Sequence, residues 1–387
     1  MKDTIVVAGS LAQRPFTGGH AWQFLQYLLG FRRIGWDVLF LDRLEPEMCS
    51  DGAGNPCRVE DSVNLAYFTH VLEGFGLGEH YSLGYDRGRQ TFGLSRARAL
   101  ERVRSSALLI NIMGFLDDDE IMAAAPRRAF LDTDPGFGQM WQDLGLASLF
   151  QGHDDYITIA ENIGRPGCAI PTLGLPWVTT CQPVLLEEWR RTEPADSGHW
   201  ITGIGAWRGA YDPVEYNGTR YGLRVHEFRK FATLPQRTQL SFQLALEIDD
   251  ADASDRALLE SGGWCRVDPR VVTRDPWRYR RYLHESRAEI MIAKGMYVQT
   301  GSGWFSERSM CYLAASRPVL AQDTGITRLY PTGAGLLTFS TLDQAVDAVH
   351  SLNADYDRHA RAARAIAEEY FDSDRVLPRL LSSLAVA

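Results

Sequence analysis

Thr4-Ile-Val-Val-Ala-Gly-Ser10, Phe16-Thr-Gly-Gly-His20 and, after a helical run closing at Gly35, Trp36-Asp-Val-Leu-Phe-Leu41 read together as strand, glycine loop, helix, strand. A short apolar run suits a buried parallel strand. Ala21, Phe24, Leu25, Leu28 and Phe31 then recur at the three- and four-residue spacing of a helix packed on a sheet. Gly35 stands where a helix end needs positive φ. Gly18 and Gly19 let the backbone approach a bound group, and the helix start behind them offers N–H donors to an anion or to developing negative charge. His20 is planted beside that spot.

The alternation continues outward from this unit. Ala107 to Ile112 and Ala129 to Leu131 are further strand candidates, while Cys49 to Arg58 and Gly74 to Gly93 read as long polar loops. Ile163 to Pro183 is dense in Pro, Gly and Thr, and Glu187 to Gly198 is polar, which marks a linker. A second alternation starts at Trp200-Ile-Thr-Gly-Ile-Gly205. It continues through helix Leu223 to Leu234, strand Leu240 to Ile248, helix Ser254 to Ser261, strand Trp264 to Val267 and a helix opened by Asp275-Pro276. Strand Glu289 to Ala293, helix Ser306 to Ala315 with Ser306 as its cap, strand Pro318 to Ala321 and helix Thr341 to Leu352 complete it. The expected fold class is α/β, with two doubly wound Rossmann-like domains facing each other across a cleft. The boundaries are 1–183 for the first domain, 184–198 for the linker and 199–354 for the second domain. Residues 355–387 would form helices that pack back on the first.

Composition excludes several classes. With 387 residues, 45% hydrophobic and 23% charged, the chain can bury a sizeable core. No apolar run approaches the ~18 residues of a membrane span, and the first residues already read as a strand rather than a secretory leader, so a cytoplasmic location is expected. The net charge of -9, from 40 basic and 49 acidic residues, argues against non-specific nucleic-acid binding. Six scattered cysteines lack metal-ligand spacing and read as reduced structural thiols. Only three lysines occur, Lys2, Lys230 and Lys294, so Lys294 at a strand end calls for a reason.

Ser302-Gly-Trp-Phe-Ser-Glu-Arg-Ser-Met-Cys-Tyr-Leu-Ala-Ala-Ser-Arg-Pro-Val-Leu-Ala-Gln-Asp-Thr-Gly325, followed by Gly335-Leu-Leu, resembles the donor-binding stretch of nucleotide-sugar-dependent glycosyltransferases of the GT-B fold. The N-terminal Thr17-Gly-Gly-His20, with Gly35-Trp after its helix, is similar to the glycine loop of the bacterial lipid-linked N-acetylglucosaminyltransferase of cell-wall synthesis, in which the corresponding His is a proposed base. The resemblance implies a nucleoside-diphosphate sugar as co-substrate with no further cofactor, and an acceptor, such as a small natural product, held mainly by the N-terminal domain. Many retaining members carry two glutamates eight positions apart; here Gly303 and Cys311 stand at those places, which points to inversion.

The site residues follow from both readings. Backbone N–H groups of Ser302, Gly303, Trp304, Phe305 and Ser306 would face a diphosphate, and Gln322, Asp323, Thr324 and Gly325 would meet sugar hydroxyls. Glu307 is either a sugar contact or a first-turn carboxylate favoured by the helix dipole. Arg208 and Lys294 lie at strand C-terminal ends, where open α/β sheets bind ligands, and Val267 would lie near the nucleotide base. His20, aided by Asp134 and with Asp132 as a further catalytic candidate, suits a general base for the acceptor hydroxyl, with an ionisation near 6.5 before perturbation. Asp132-Thr-Asp134 imitates the Asp-x-Asp metal motif of the other glycosyltransferase fold, GT-A; the competing readings are a turn before Pro135 and a pair facing the cleft. No metal is expected, and His153, Asp154 and Asp155 form an acidic turn without an evident partner. A nucleotide-sugar epimerase or hydrolase and a non-catalytic nucleotide-sugar-binding protein are the alternatives. The sequence leaves the oligomeric state open.

Overall fold

The computed structural model describes residues 3–190 and 198–386. Eight strands form the N-terminal sheet: β1 (Thr4–Ala8), β2 (Asp37–Leu44), β3 (Tyr81–Tyr85), β4 (Gln90–Gly93), β5 (Ser106–Ile112), β6 (Arg128–Asp132), β7 (Asp155–Thr158) and β8 (Trp177–Thr179). Their order is β4-β3-β2-β1-β5-β6-β7-β8, parallel except for the antiparallel β3–β4 hairpin. Alternation along β1 builds two apolar layers. Ile5 and Val7 pack with Ala21, Phe24 and Leu28 of the Gly18–Arg33 helix, whereas Val6 and Ala8 pack with Leu100 and Val103 on the opposite face. The expected periodicity therefore holds, and Gly35 takes φ 91° beyond the helix end.

The second sheet contains β9 (Trp200–Ala206), β12 (Ser241–Glu247), β13 (Trp264–Val267), β14 (Ala288–Met291), β15 (Val319–Gln322) and β16 (Leu336–Phe339), parallel throughout in the order β13-β12-β9-β14-β15-β16. A separate hairpin, β10 (Val214–Tyr216) and β11 (Thr219–Tyr221), follows β9. The helix expected after Asp275 runs Pro276–Glu285, and the Asp275 side chain accepts a hydrogen bond from the Arg278 N–H. The Ser373–Ser383 helix lies against the Gly18–Arg33 helix, where Arg33 Nε donates to Asp374 at 2.8 Å.

Several expectations change. Gly74 to Gly93 is not one loop: it contains the β3–β4 hairpin, whose two short strands carry too little apolar alternation to stand out. The Pro- and Gly-rich segment 163–183 holds β8, the last strand of the first sheet, and β7 precedes it. Asp154 and Asp155 do have partners, Arg128 at 3.0 Å and Arg127 at 2.6 Å, which neutralise the start of β7 against β6. The helix expected over Leu223 to Leu234 breaks into Arg224–Phe228 and 3-10 turns. Ser306 occupies the N-cap of the Glu307–Ala314 helix but makes no side-chain cap hydrogen bond. Of the polar linker, residues 191–197 lie outside the described residues, as does Lys2.

The two halves meet closely. Trp22 Nε1 donates to the Pro276 carbonyl at 2.9 Å, and Asn162 Nδ2 donates to the carbonyls of Gly301 and Gly325, each at 3.1 Å. Gly18 donates its N–H to the Thr273 carbonyl at 2.8 Å, and a Cβ there would lie 2.3 Å from the Asp275 carbonyl oxygen. Backbone cannot yield as a side-chain tip can. Gly18→Ala should therefore lower stability by about 1–3 kcal/mol, the usual cost of overpacking, measured by urea denaturation; an unchanged midpoint would show that the junction relaxes freely.

Candidate active site

Between the halves lies a cleft of about 370 Å³, floored by strand ends of both sheets. His20, Gly19, Gln23, Met113, Phe115 and Asp134 line its N-terminal wall. Arg208, Tyr211, Arg224, Lys294, Tyr297 and Trp304, with the helix start from Ser306 to Arg308, line the other. The sequence thus brings His20, Gly19, Asp134, Arg208, Lys294, Trp304, Ser306 and Glu307 to one place.

His20 Nε2 lies 3.0 Å from the Ser10 carbonyl oxygen and 3.2 Å from Ser10 Oγ. A carbonyl can only accept, so Nε2 carries the proton and the Nδ1 lone pair remains uncommitted. Burial, with Arg14 nearby, pulls the ring pKa down to about 4. The expectation of an ionisation near 6.5 gives way: the fold favours the neutral ring. Its contribution to stability is present above about 6.5, the unfolded value, and is lost as pH falls towards 4.

Asp134 reaches across the cleft. Its Oδ2 accepts from Lys294 Nζ at 2.5 Å, and its Oδ1 accepts from the Tyr297 hydroxyl. The Lys294 ammonium is further enclosed by the rings of Phe137, Tyr211 and Tyr297, 5.1, 5.5 and 5.4 Å from their centroids. Burial lowers the lysine pKa against the opposing pull of Asp134. Asp132 takes no part in the cleft. It is 3% exposed, accepts from Gln139 Nε2 at 2.6 Å and Thr158 Oγ1 at 3.0 Å, and burial pushes its pKa up to about 6. The two aspartates are thus turned to different neighbours rather than paired.

Other expected contacts are committed elsewhere. The Gly18 N–H is spent on Thr273, and three N–H groups of the donor-like loop are spent within the protein: Ser302 on the Tyr297 carbonyl, Gly303 on the Thr324 carbonyl and Trp304 on Ser302 Oγ. The parts of the loop that face the cleft are the Trp304 side chain and its end, from Ser306. Phe305 is core, packed on Tyr330 and Phe371. Gln322 ties Glu227 to the Ala293 N–H, Asp323 caps the Gly325 N–H and Thr327, and Thr324 Oγ1 donates to the Trp304 carbonyl. These side chains hold the strand-end turn instead of lining the cleft. Val267 lines an adjoining cavity that shares Arg208 with it, and Arg208 itself pairs with Asp252, Nε to Oδ2 at 2.7 Å.

Arg224, Tyr297 and Gln182 are among the lining residues that escaped the sequence reading. Arg224 makes no ion pair among the described residues, and its Nε is buried without a hydrogen-bond partner. Gly205 makes the space: a Cβ there would lie 1.6 Å from Arg224 Nη1. That glycine in β9 was the available signal. Tyr297 stacks on Trp304, ring centroids 4.2 Å apart, and Trp304 Nε1 and Gln182 Oε1 are buried without partners. Glu307 accepts from Cys311 Sγ at 3.1 Å, and burial pushes its pKa up to about 7. A cleft offering unpaired N–H donors and cations opposite a neutral histidine is suited to hold a polyanion beside a group that gives up a proton.

No protein-family model and no curated protein sequence matches this chain. Solved structures do, over its full length. Anabaena Alr3699/HepE in complex with UDP-glucose superposes with a TM-score of 0.61 at 12% identity, covering 100% of both chains. An alpha-glucosyltransferase bound to UDP and a mismatched 13-mer DNA gives 0.59 at 11%, covering 99% of this chain and 100% of that one. Sucrose-phosphate synthase from Thermosynechococcus elongatus gives 0.58 at 11%, covering 99% of each. The likeness is one of fold, and the fold is GT-B. Asp132→Ala should cost about 1–3 kcal/mol by leaving the Gln139 and Thr158 donors unpaired in the core. Chemical denaturation measures it, and a loss below 0.5 kcal/mol would move Asp132 out of the structural frame, roughly the scatter of surface substitutions.

Proposed function

We propose that this chain transfers a sugar from a nucleoside-diphosphate sugar to an acceptor hydroxyl. The observation that carries the reading is Arg224, a half-buried cation lining the cleft that makes no direct ion pair or hydrogen bond among the described residues, Asp134 and Glu289 acting on it only from a distance. A buried unpaired charge costs several kcal/mol, and an anionic ligand would offset that cost. Arg208, Lys294 and the Glu307–Ala314 helix start surround the same space, so the charge that grows on the leaving diphosphate meets donors already in place. The UDP and UDP-glucose held by the similar structures agree with such a donor. Under this reading residues 199–354 bind the donor and residues 1–183 the acceptor.

The neutral His20, through Nδ1, takes the acceptor proton as the hydroxyl oxygen attacks the anomeric carbon and the bond to the diphosphate breaks, with inversion. Glu307, Gln182 and Trp304 Nε1 would then meet the sugar. The diphosphate is neutralised by protein cations, so turnover is expected to withstand EDTA. Thermal shift against UDP, dTDP, GDP and ADP tests donor binding, because a ligand of the folded state raises its apparent stability by mass action. At least one nucleotide should stabilise the protein, and Arg224→Ala should abolish that shift. Equal shifts in both proteins would refute the assigned diphosphate site. Release of free sugar from donor alone, with no acceptor found, would assign a hydrolase instead.

His20→Ala should leave nucleotide affinity intact and lower turnover by about 10² to 10⁴, the usual worth of a general base. The kcat/KM profile for the donor should lose an ionisation near 4 in His20→Ala, the value to which burial draws the ring, and keep the one near 7 to which burial raises Glu307. An unchanged rate in folded His20→Ala would reduce His20 to a helix first-turn residue.

A further inference from the structure

The Asp134 carboxylate engages two groups of the wall to which the diphosphate is assigned above, Lys294 and Tyr297. Lys294 and Tyr297 belong to the C-terminal wall, beside Arg224, and both spend their polar hydrogens on this one side chain from the N-terminal wall. Lys294 is 15% exposed and Asp134 20%, so the pair sits in a poorly solvated place where exchanging one anion for another is easier than leaving the cation bare. Towards its own half of the protein Asp134 is held by its backbone, its N–H donating to Asp132 Oδ1 at 3.2 Å, while its carboxylate is held by Lys294 and Tyr297 of the other wall. Arg14 lines the same cleft near His20, is exposed, and its guanidinium makes no hydrogen bond or ion pair among the described residues.

We propose that Asp134 is an internal stand-in for the donor diphosphate: the donor's phosphate oxygens displace its carboxylate from Lys294 and Tyr297, and the freed carboxylate turns towards Arg14 and the acceptor side. This rests on the diphosphate site assigned above and adds its regulation. Donor binding is then coupled to the release of the cross-cleft tie, so the donor binds first and the acceptor wall is completed by the donor's arrival. The exchange conserves charge at Lys294, which faces one anion before and another after. It also sets an internal competitor against the donor, so the affinity seen for a nucleotide is lower than the site could give.

Titration calorimetry with UDP on three full-length proteins decides the matter: wild type, Asp134→Asn and Lys294→Ala, each checked for folding by circular dichroism. Asp134→Asn should bind UDP about tenfold more tightly than wild type, since the competing charge is gone, a factor equal to about 1.4 kcal/mol. Lys294→Ala should bind at least tenfold more weakly. If Asp134→Asn fails to fold, Asp134→Ser removes the same charge and carries the same expectation. Equal or weaker UDP binding by the Asp134 variant, with Lys294→Ala weakened, overturns the stand-in while leaving the diphosphate site in place. Unchanged binding by Lys294→Ala overturns the site itself, and the stand-in with it.

Discussion

Arg224 is half-buried in the cleft wall without a direct ion pair or hydrogen bond among the described residues, and much of the cleft's construction serves to make that state tolerable. The guanidinium fits because β9 carries Gly205 where any side chain would collide with Nη1. Its neighbours are themselves balanced: Arg308 by Glu289 at 2.6 Å, Lys294 by Asp134 and Arg208 by Asp252. Burial pulls the Arg224 pKa down to about 10, with Arg308 adding to the effect, yet the group stays charged at neutral pH. Two unpaired cations, Arg224 and Arg14, amid three balanced ones form a specific arrangement rather than a generally basic surface, which suits a chain whose net charge is -9.

Such a site demands a rigid junction, since walls from two sheets must hold their spacing to within fractions of an ångström. The junction is built from contacts that only small or precisely shaped groups allow. Gly18 under the Asp275 carbonyl and Gly136 under Met296, where a Cβ would lie 2.6 Å from the sulfur, let the halves approach. The Trp22 indole and the Asn162 amide then close it with directional hydrogen bonds. The polar side chains expected to touch sugar, Gln322, Asp323 and Thr324, belong to this framework: they fix the turn after β15 and through it the Trp304 ring.

The architecture was legible because burial on both sides of a parallel strand leaves apolar runs with glycine and capping signals between them. Trp264–Val267 and Pro276–Glu285 match their expected limits for that reason. The β3–β4 hairpin and β8 were not legible, since short edge strands need few apolar residues. At the site, His20, Lys294 and Arg208 could be found from their places at loop and strand ends. Arg224 was harder to find, because its one mark is Gly205, which a hairpin separates from it in the chain. Which backbone N–H groups remain free is a tertiary property: the Ser302–Trp304 loop looks like an anion cradle until Tyr297, Thr324 and Ser302 Oγ are seen to consume its donors.

The charge distribution also bears on how hard the proposed base can work. A general base is most effective when its pKa lies near the working pH, and a ring at about 4 is a weak one. Burial is the main cause, but Arg14 contributes, so the sign of the nearby charge matters. A diphosphate brought to Arg224 and Lys294, together with an aspartate turned towards Arg14, would place negative charge where His20 now faces positive, and its basicity would rise. Base strength would then appear only in the donor-loaded protein. On this argument a weak base in the free protein is consistent with catalysis, because the field that strengthens it arrives with the substrate.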